Sequence, residues 1–110
     1  MLTLDEYQQA AERTAAYPNR GHNLVYPVLG LASEAGEVAG KLKKAIRDTG
    51  GQLSEDQRAR LLDEVGDVLW YVAAICAELD TSLEAVARAN LDKLASRAER
   101  GVIGGDGDKR

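Results

Sequence analysis

Apolar residues recur along this chain at three- and four-residue intervals, the period of an amphipathic helix, and nowhere in the alternation of a half-buried strand. Four helical segments follow from that pattern and its caps. Thr3 and Glu6 are spaced as a capping box, opening a first helix predicted to reach Tyr17, before Pro18, Asn19 and Gly21. Asn23 is the predicted cap of a second helix, with Pro27 in its first turn, where a missing N–H costs least. That helix is expected to run to Arg47 and stop at Asp48-Thr49-Gly50-Gly51. Ser54 with Gln57 opens a third helix, ending near Leu79. Thr81 with Glu84 opens a fourth, which runs to Arg100 and stops at Gly101. The expected fold is all-α: one domain over residues 1–100, a bundle of four main helices, then a Gly-rich tail over 101–110 expected to be flexible.

Composition strengthens the helical reading. The 110 residues include 17 Ala and 14 Leu, against 15 for Val, Ile and Thr together, and no Phe. Ala and Leu lose little on entering a helix, whereas β-branched residues lose χ1 freedom. So short and aromatic-poor a chain buries a modest core, which points to an oligomer. The net charge of −4, from 14 Lys and Arg against 18 Asp and Glu, excludes a basic face for duplex nucleic acid. The single cysteine, Cys76, lies in an apolar run and reads as a buried thiol. That run, Val68 to Ala77, is too short to cross a bilayer, and the MLTLDEYQQ start lacks a basic-then-apolar signal. A soluble, cytoplasmic protein with no membrane partner is expected.

Candidate chemistry enters where polar residues occupy positions a bundle would make apolar. The second helix carries Glu34-Ala35-Gly36-Glu37 and the third Glu64-Val65-Gly66-Asp67. An i, i+3 spacing puts both carboxylates of a pair on one helix face. Lys41 and Tyr71 extend these stripes at i+7, and Asn90, Lys93 and Arg97 repeat the spacing on the fourth helix. The first pair lies roughly 17 Å along its helix from the connecting turn, the second roughly 15 Å. An antiparallel pairing therefore brings four acids to one level, and Lys93 and Arg97 are expected to return to it.

Four crowded carboxylates cannot all remain ionised without counter-charge. Hard divalent cations with oxygen ligands, Mg²⁺ or Mn²⁺, supply it, and Lys41, Lys93 and Arg97 offer charge for phosphates. Several bland readings stay open beside this one. Lys41 can pair with Glu37 at i+4, Tyr71 suits core packing as well as base stacking, and Trp70 faces elsewhere, as core or subunit contact. His22 also suits an ordinary loop position.

The stretches YPVLGLASEAGEVAGKLKK, DEVGDVLWYVAAI and NLDKLASR, with 26 residues between Glu37 and Glu64, resemble the MazG-like all-α nucleoside triphosphate pyrophosphohydrolases. The resemblance runs from Tyr26 to Arg97. It implies hydrolysis of a (d)NTP to the monophosphate and pyrophosphate, by water attack at the α-phosphorus, as housekeeping of the nucleotide pool. By similarity Glu34, Glu37, Glu64 and Asp67 hold Mg²⁺, with Glu34 or Glu37 orienting or deprotonating water. Lys41, Asn90, Lys93 and Arg97 would engage phosphates, and Tyr71 with His22 and Asn23 would face sugar or base. Relatives form homodimers or dimers of dimers, so the resemblance implies an active-site bundle completed by a second subunit. Some relatives carry a Glu just before the first motif; here that position is Ser33. The tail's Lys109 and Arg110 could close over phosphates.

Two other readings compete. Phosphoribosyl-ATP pyrophosphohydrolases share the helical architecture and carboxylate logic. A non-catalytic nucleotide- or metal-binding bundle would bind without turnover. Iron storage or di-iron oxidation is disfavoured more firmly, because the ferritin-like pattern calls for two Glu-x-x-His motifs and the only histidine, His22, lies outside any.

Overall fold

A computed structural model describes residues 1–101 and 104. They form four helices, α1 (Leu4–Glu12), α2 (Val25–Thr49), α3 (Glu55–Glu78) and α4 (Leu83–Arg100), and no strand is present among the described residues. The fold is all-α, as the periodicity predicts. Of the tail, only Gly101 and Gly104 belong to the described residues, so the expectations for 101–110, Lys109 and Arg110 otherwise lie outside them.

Two of the three predicted capping boxes are made, and the Thr81–Glu84 box is not. Thr3 and Glu6 exchange bonds at the start of α1, and Ser54 and Gln57 do the same for α3. Three boundaries differ from expectation, the first for a tertiary reason and the other two through local capping bonds. α1 stops at Glu12 rather than Tyr17. Thr14 donates from Oγ1 to the Ala11 carbonyl and accepts from Trp70 Nε1 at 2.8 Å, while the Tyr17 hydroxyl is drawn to Glu78. Bonds to α3 thus replace further helical turns. α2 begins at Val25 behind Leu24, yet Asn23 still caps it: its Oδ1 accepts from Tyr26 N at 3.0 Å. α4 is capped by Ser82, one residue beyond Thr81. Thr81 N donates instead to the Cys76 carbonyl, closing the end of α3, with Asp80 at φ 55° in the left-handed region.

α2 and α3 form a long antiparallel hairpin through a turn entered by Gly50 at φ 68°. Their close approach has a specific point. A Cβ on Gly30 would lie 2.1 Å from Cε1 of Tyr71, so only glycine lets this ring lie flat on α2. On the other side, α1 packs on α3 and α4 around Ala73, Cys76 and Leu83, with Tyr7 and Val72 at the margin. Burial raises the Cys76 thiol pKa, which keeps it an inert core residue. Gln8 fastens this corner: its Nε2 donates to the Thr81 carbonyl and its Oε1 accepts from Leu83 N at 2.8 Å. That second bond satisfies a backbone donor at the start of α4 that no helix partner reaches.

The core is small, as expected. The chain exposes 7900 Å², against about 5900 Å² for a compact monomer of its mass. Its radius of gyration is 16.7 Å, against about 13 Å for a compact chain of this length. Val25, Leu29, Ile46 and Leu91 are more than half exposed. Among the described residues no helix is long and apolar enough to cross a membrane.

Candidate functional site

The α2–α3 hairpin brings together three of the four acids that the spacing predicts to meet. Glu34 from α2 and Glu64 and Asp67 from α3 each bring a carboxylate oxygen within 4.8 Å of the other two. Glu37, one turn further along α2, stands outside this group and is exposed, although its charge still reaches Glu34. Lys41 does not turn to Glu37 on its own helix. Its Nζ lies 3.7 Å from Oε1 of Glu64, a cross-helix ion pair that keeps an ammonium beside the cluster.

The electrostatics follow from crowding. A hydrogen bond to Glu64 raises the Glu34 pKa first, burial next, and then the charges of Glu64, Asp67 and Glu37. Lys41 offsets part of that charge and cannot match the whole. Hard carboxylate oxygens at this separation suit a divalent cation such as Mg²⁺ or Mn²⁺.

Tyr71 stands beside this centre. Its hydroxyl pKa is raised by burial first, then by its neighbour Tyr26 and by the charges of Glu34 and Asp67. From Tyr71 an aromatic row leads away from the acids. The Tyr26 ring lies 6.5 Å from it, tilted by 48°, and Tyr17 stacks on Tyr26 at 4.8 Å, nearly parallel. Trp70 meets Tyr71 edge-on at 5.0 Å.

Beyond Trp70 opens a cavity of about 680 Å³, whose walls include Ala74, Trp70, Tyr17, Arg20, Gly21 and Glu78. Along α3 its lining begins at Trp70, about one turn beyond Asp67, and includes Ala74, about 10 Å beyond it. Alanines and one indole face give it a smooth apolar floor, with charged groups at its edge.

The remaining predicted residues are placed as follows. His22 is exposed in the loop before α2. Asn23 has both side-chain polar atoms engaged within that loop, Nδ2 on the Pro18 carbonyl and Oδ1 on Tyr26 N. Asn90 and Lys93 are exposed on α4, and Arg97 is buried, 5% exposed. α4 packs against α1 and α3 but makes no contact with α2 among the described residues. The α2 carboxylates and the α4 stripe are therefore not joined by direct packing within one chain.

Sequence reasoning passed over Glu78. Its carboxylate accepts from the Tyr17 hydroxyl at 2.6 Å, from Gly21 N at 2.7 Å and from Asn23 N at 2.7 Å. These donors hold its pKa below the ordinary value, the Tyr17 bond most of all. In return the Tyr17 hydroxyl, raised chiefly by burial and then by this bond, is pushed up to about 12. One signal was available: Glu78 lies two turns beyond Tyr71 on the stripe that begins at Glu64.

An all-α hairpin that gathers acidic side chains from two facing helices offers a place for a cation, and by itself fixes no activity. Residues 26–102 match the MazG nucleotide pyrophosphohydrolase domain, and the chain belongs to that family. It is also 47% identical, over 114 residues, to the Gene 37 protein of Mycobacterium phage L5, covering 99% of this chain and 100% of that protein. No solved structure matches the chain.

Proposed function

We propose that the protein is a Mg²⁺-dependent nucleoside triphosphate pyrophosphohydrolase that converts a (d)NTP to the (d)NMP and pyrophosphate, clearing nucleotides in the cytoplasm. The observation that carries this reading is the cross-helix cluster of Glu34, Glu64 and Asp67 in a chain of the MazG family. Mg²⁺, or Mn²⁺ in its place, held by these carboxylates would supply positive charge for the triphosphate and lower the pKa of water. Glu37, free of the cluster, is the carboxylate best able to take a proton from water attacking the α-phosphorus. Lys41 stands ready to exchange Glu64 for a phosphate oxygen. The nucleoside end would run past Tyr71 towards the Trp70 cavity, which has room for a base and sugar.

Assembly belongs to the same proposal. The exposed apolar residues on α2 and α4, and the excess surface of the lone chain, support a homodimer or homotetramer. In it, the exposed Asn90 and Lys93 of one subunit would serve the phosphates of a site on its neighbour, whereas Arg97 is buried within its own chain.

A screen over canonical and modified NTPs, dNTPs and phosphoribosyl-ATP, with and without Mg²⁺, tests this reading. Monophosphate plus pyrophosphate, formed only with the metal, is expected. Diphosphate plus orthophosphate would overturn attack at the α-phosphorus. Turnover of phosphoribosyl-ATP alone would move the protein to that activity, and binding without turnover would make it a sensor.

A further inference from the structure

We propose that Glu78 is a positioning residue of this site, acting through the 17–23 loop to set how the nucleoside end of the substrate is held. The inference rests on the hydrolase reading above.

One carboxylate holds both ends of this loop. Oε2 of Glu78 takes the Tyr17 hydroxyl and Gly21 N, and Oε1 takes Asn23 N. Two routes then lead from Glu78 to the same residue, Tyr26. Along the first, Tyr17 stacks on the Tyr26 ring at 4.8 Å. Along the second, Asn23 caps the Tyr26 backbone N–H, fixing the first turn of α2. Tyr26 in turn adjoins Tyr71, which senses the charges of Glu34 and Asp67. Within the loop, Asn23 Nδ2 donates to the Pro18 carbonyl and His22 N to the Asn19 carbonyl, and neither bond reaches α3.

Glu78 also lines the cavity beyond Trp70, together with Tyr17, Arg20 and Gly21, all in or beside the loop it holds. Moving the loop therefore reshapes the cavity wall and the start of α2, while the hairpin that carries Glu34, Glu64 and Asp67 keeps its own contacts. That separation predicts a selective effect on substrate affinity rather than on metal binding or chemistry.

Glu78→Gln tests it. An amide can accept from one side of this arrangement only, and its NH₂ must face an N–H or O–H that needs an acceptor. The comparison uses the triphosphate that the wild-type protein turns over fastest, with Mn²⁺ titration by electron paramagnetic resonance and circular dichroism for folding. The expected result is a KM raised about tenfold, with kcat within about threefold and Mn²⁺ affinity within about twofold. Tyr17→Phe removes one donor and keeps the stacked ring, so it should fold and raise KM by about threefold, even if Glu78→Gln does not fold. An unchanged KM in either folded variant overturns the role. So does a proportional loss of kcat and Mn²⁺ affinity, which would mark a general scaffold residue. Wild-type protein that turns over no triphosphate would sink the hydrolase reading itself, and this role with it. Turnover by the wild type, equalled by the variants, would sink only the role of Glu78.

Discussion

Two carboxylates on the same face of α3 meet opposite environments. Glu64 faces Glu34 and Asp67, with one ammonium 3.7 Å away, and the outcome is a raised pKa at Glu34. About four turns on, Glu78 faces three donors and its pKa is lowered. The second arrangement satisfies the charge it contains; the first leaves charge to be satisfied from outside. A fold that keeps the first beside the second carries unrelieved repulsion where a cation and a phosphate can relieve it. The acids therefore read as a site and Glu78 as the residue that holds the loop leading to it, although isolated from context Glu64 and Glu78 are glutamates on one helix stripe.

The largest test of this contrast removes charge from the crowded end. Asp67→Asn or Glu64→Gln should weaken Mn²⁺ binding and cut turnover by at least about 100-fold, while the metal-free protein melts higher than wild type because a repulsion has gone. A lower melting temperature would mean that the cluster is a stabilising network and break the comparison. Glu37→Gln should abolish turnover as fully but leave Mn²⁺ binding nearly intact, which calorimetry can separate.

A smaller effect sits between the two regions, at the ring that adjoins both. Gly30→Ala drives a methyl into Tyr71 and should cost about 1–3 kcal/mol, the usual range for overpacking. In a Tyr71→Ala background the same Gly30→Ala change should cost far less, which a double-mutant cycle in denaturant unfolding reads. An equal cost in both backgrounds would place the strain elsewhere.

The smallest effect is on pH dependence, and its sign differs at the two ends. Glu34 has a raised pKa in the folded protein, so its favourable contribution is complete below the unfolded carboxylate value and is lost as pH rises through the folded one. Glu78 has a lowered pKa, so its contribution is present above the unfolded value and is lost as pH falls through the folded one. Melting temperatures of metal-free Glu34→Gln should therefore fall less than wild type on raising pH from acid towards neutral. Those of Tyr17→Phe, which weakens the hold on Glu78, should fall less on acidification. Mg²⁺ should erase the first difference and leave the second.

What was legible in the sequence was local. The Thr3–Glu6 and Ser54–Gln57 boxes, the left-handed stop at Gly101 and the matched depth of the carboxylate pairs all depend on residues a few positions apart or on counting along a helix. The Glu34–Glu64–Asp67 cluster was reachable because a short turn leaves an antiparallel hairpin few choices. Glu78 and Gln8 were not reachable in the same way. Gln8 answers only to a backbone amide and carbonyl, which every residue carries, and Glu78 to two backbone amides and a hydroxyl 61 residues away, so no nearby side-chain type marks them. The early end of α1 has the same origin: Thr14 and Tyr17 answer to Trp70 and Glu78, more than fifty residues away. Asn23 shows the converse, a residue whose type marked it correctly as a helix cap even though the helix begins a residue later than its position implies.

The α2–α3 hairpin also bears on the order in which the chain assembles. Bringing Glu34 to Glu64 closes a short stretch of chain through the Gly50 turn, whereas the Gln8–Leu83 and Tyr17–Glu78 bonds span 75 and 61 residues. Loop entropy favours the shorter closure, and local contacts form faster than distant ones. The acids then gather before α1 and the 17–23 loop dock, so their repulsion opposes an early step of folding. Dissolved divalent cations would act there as folding partners, speeding the collapse of the hairpin well before any nucleotide arrives.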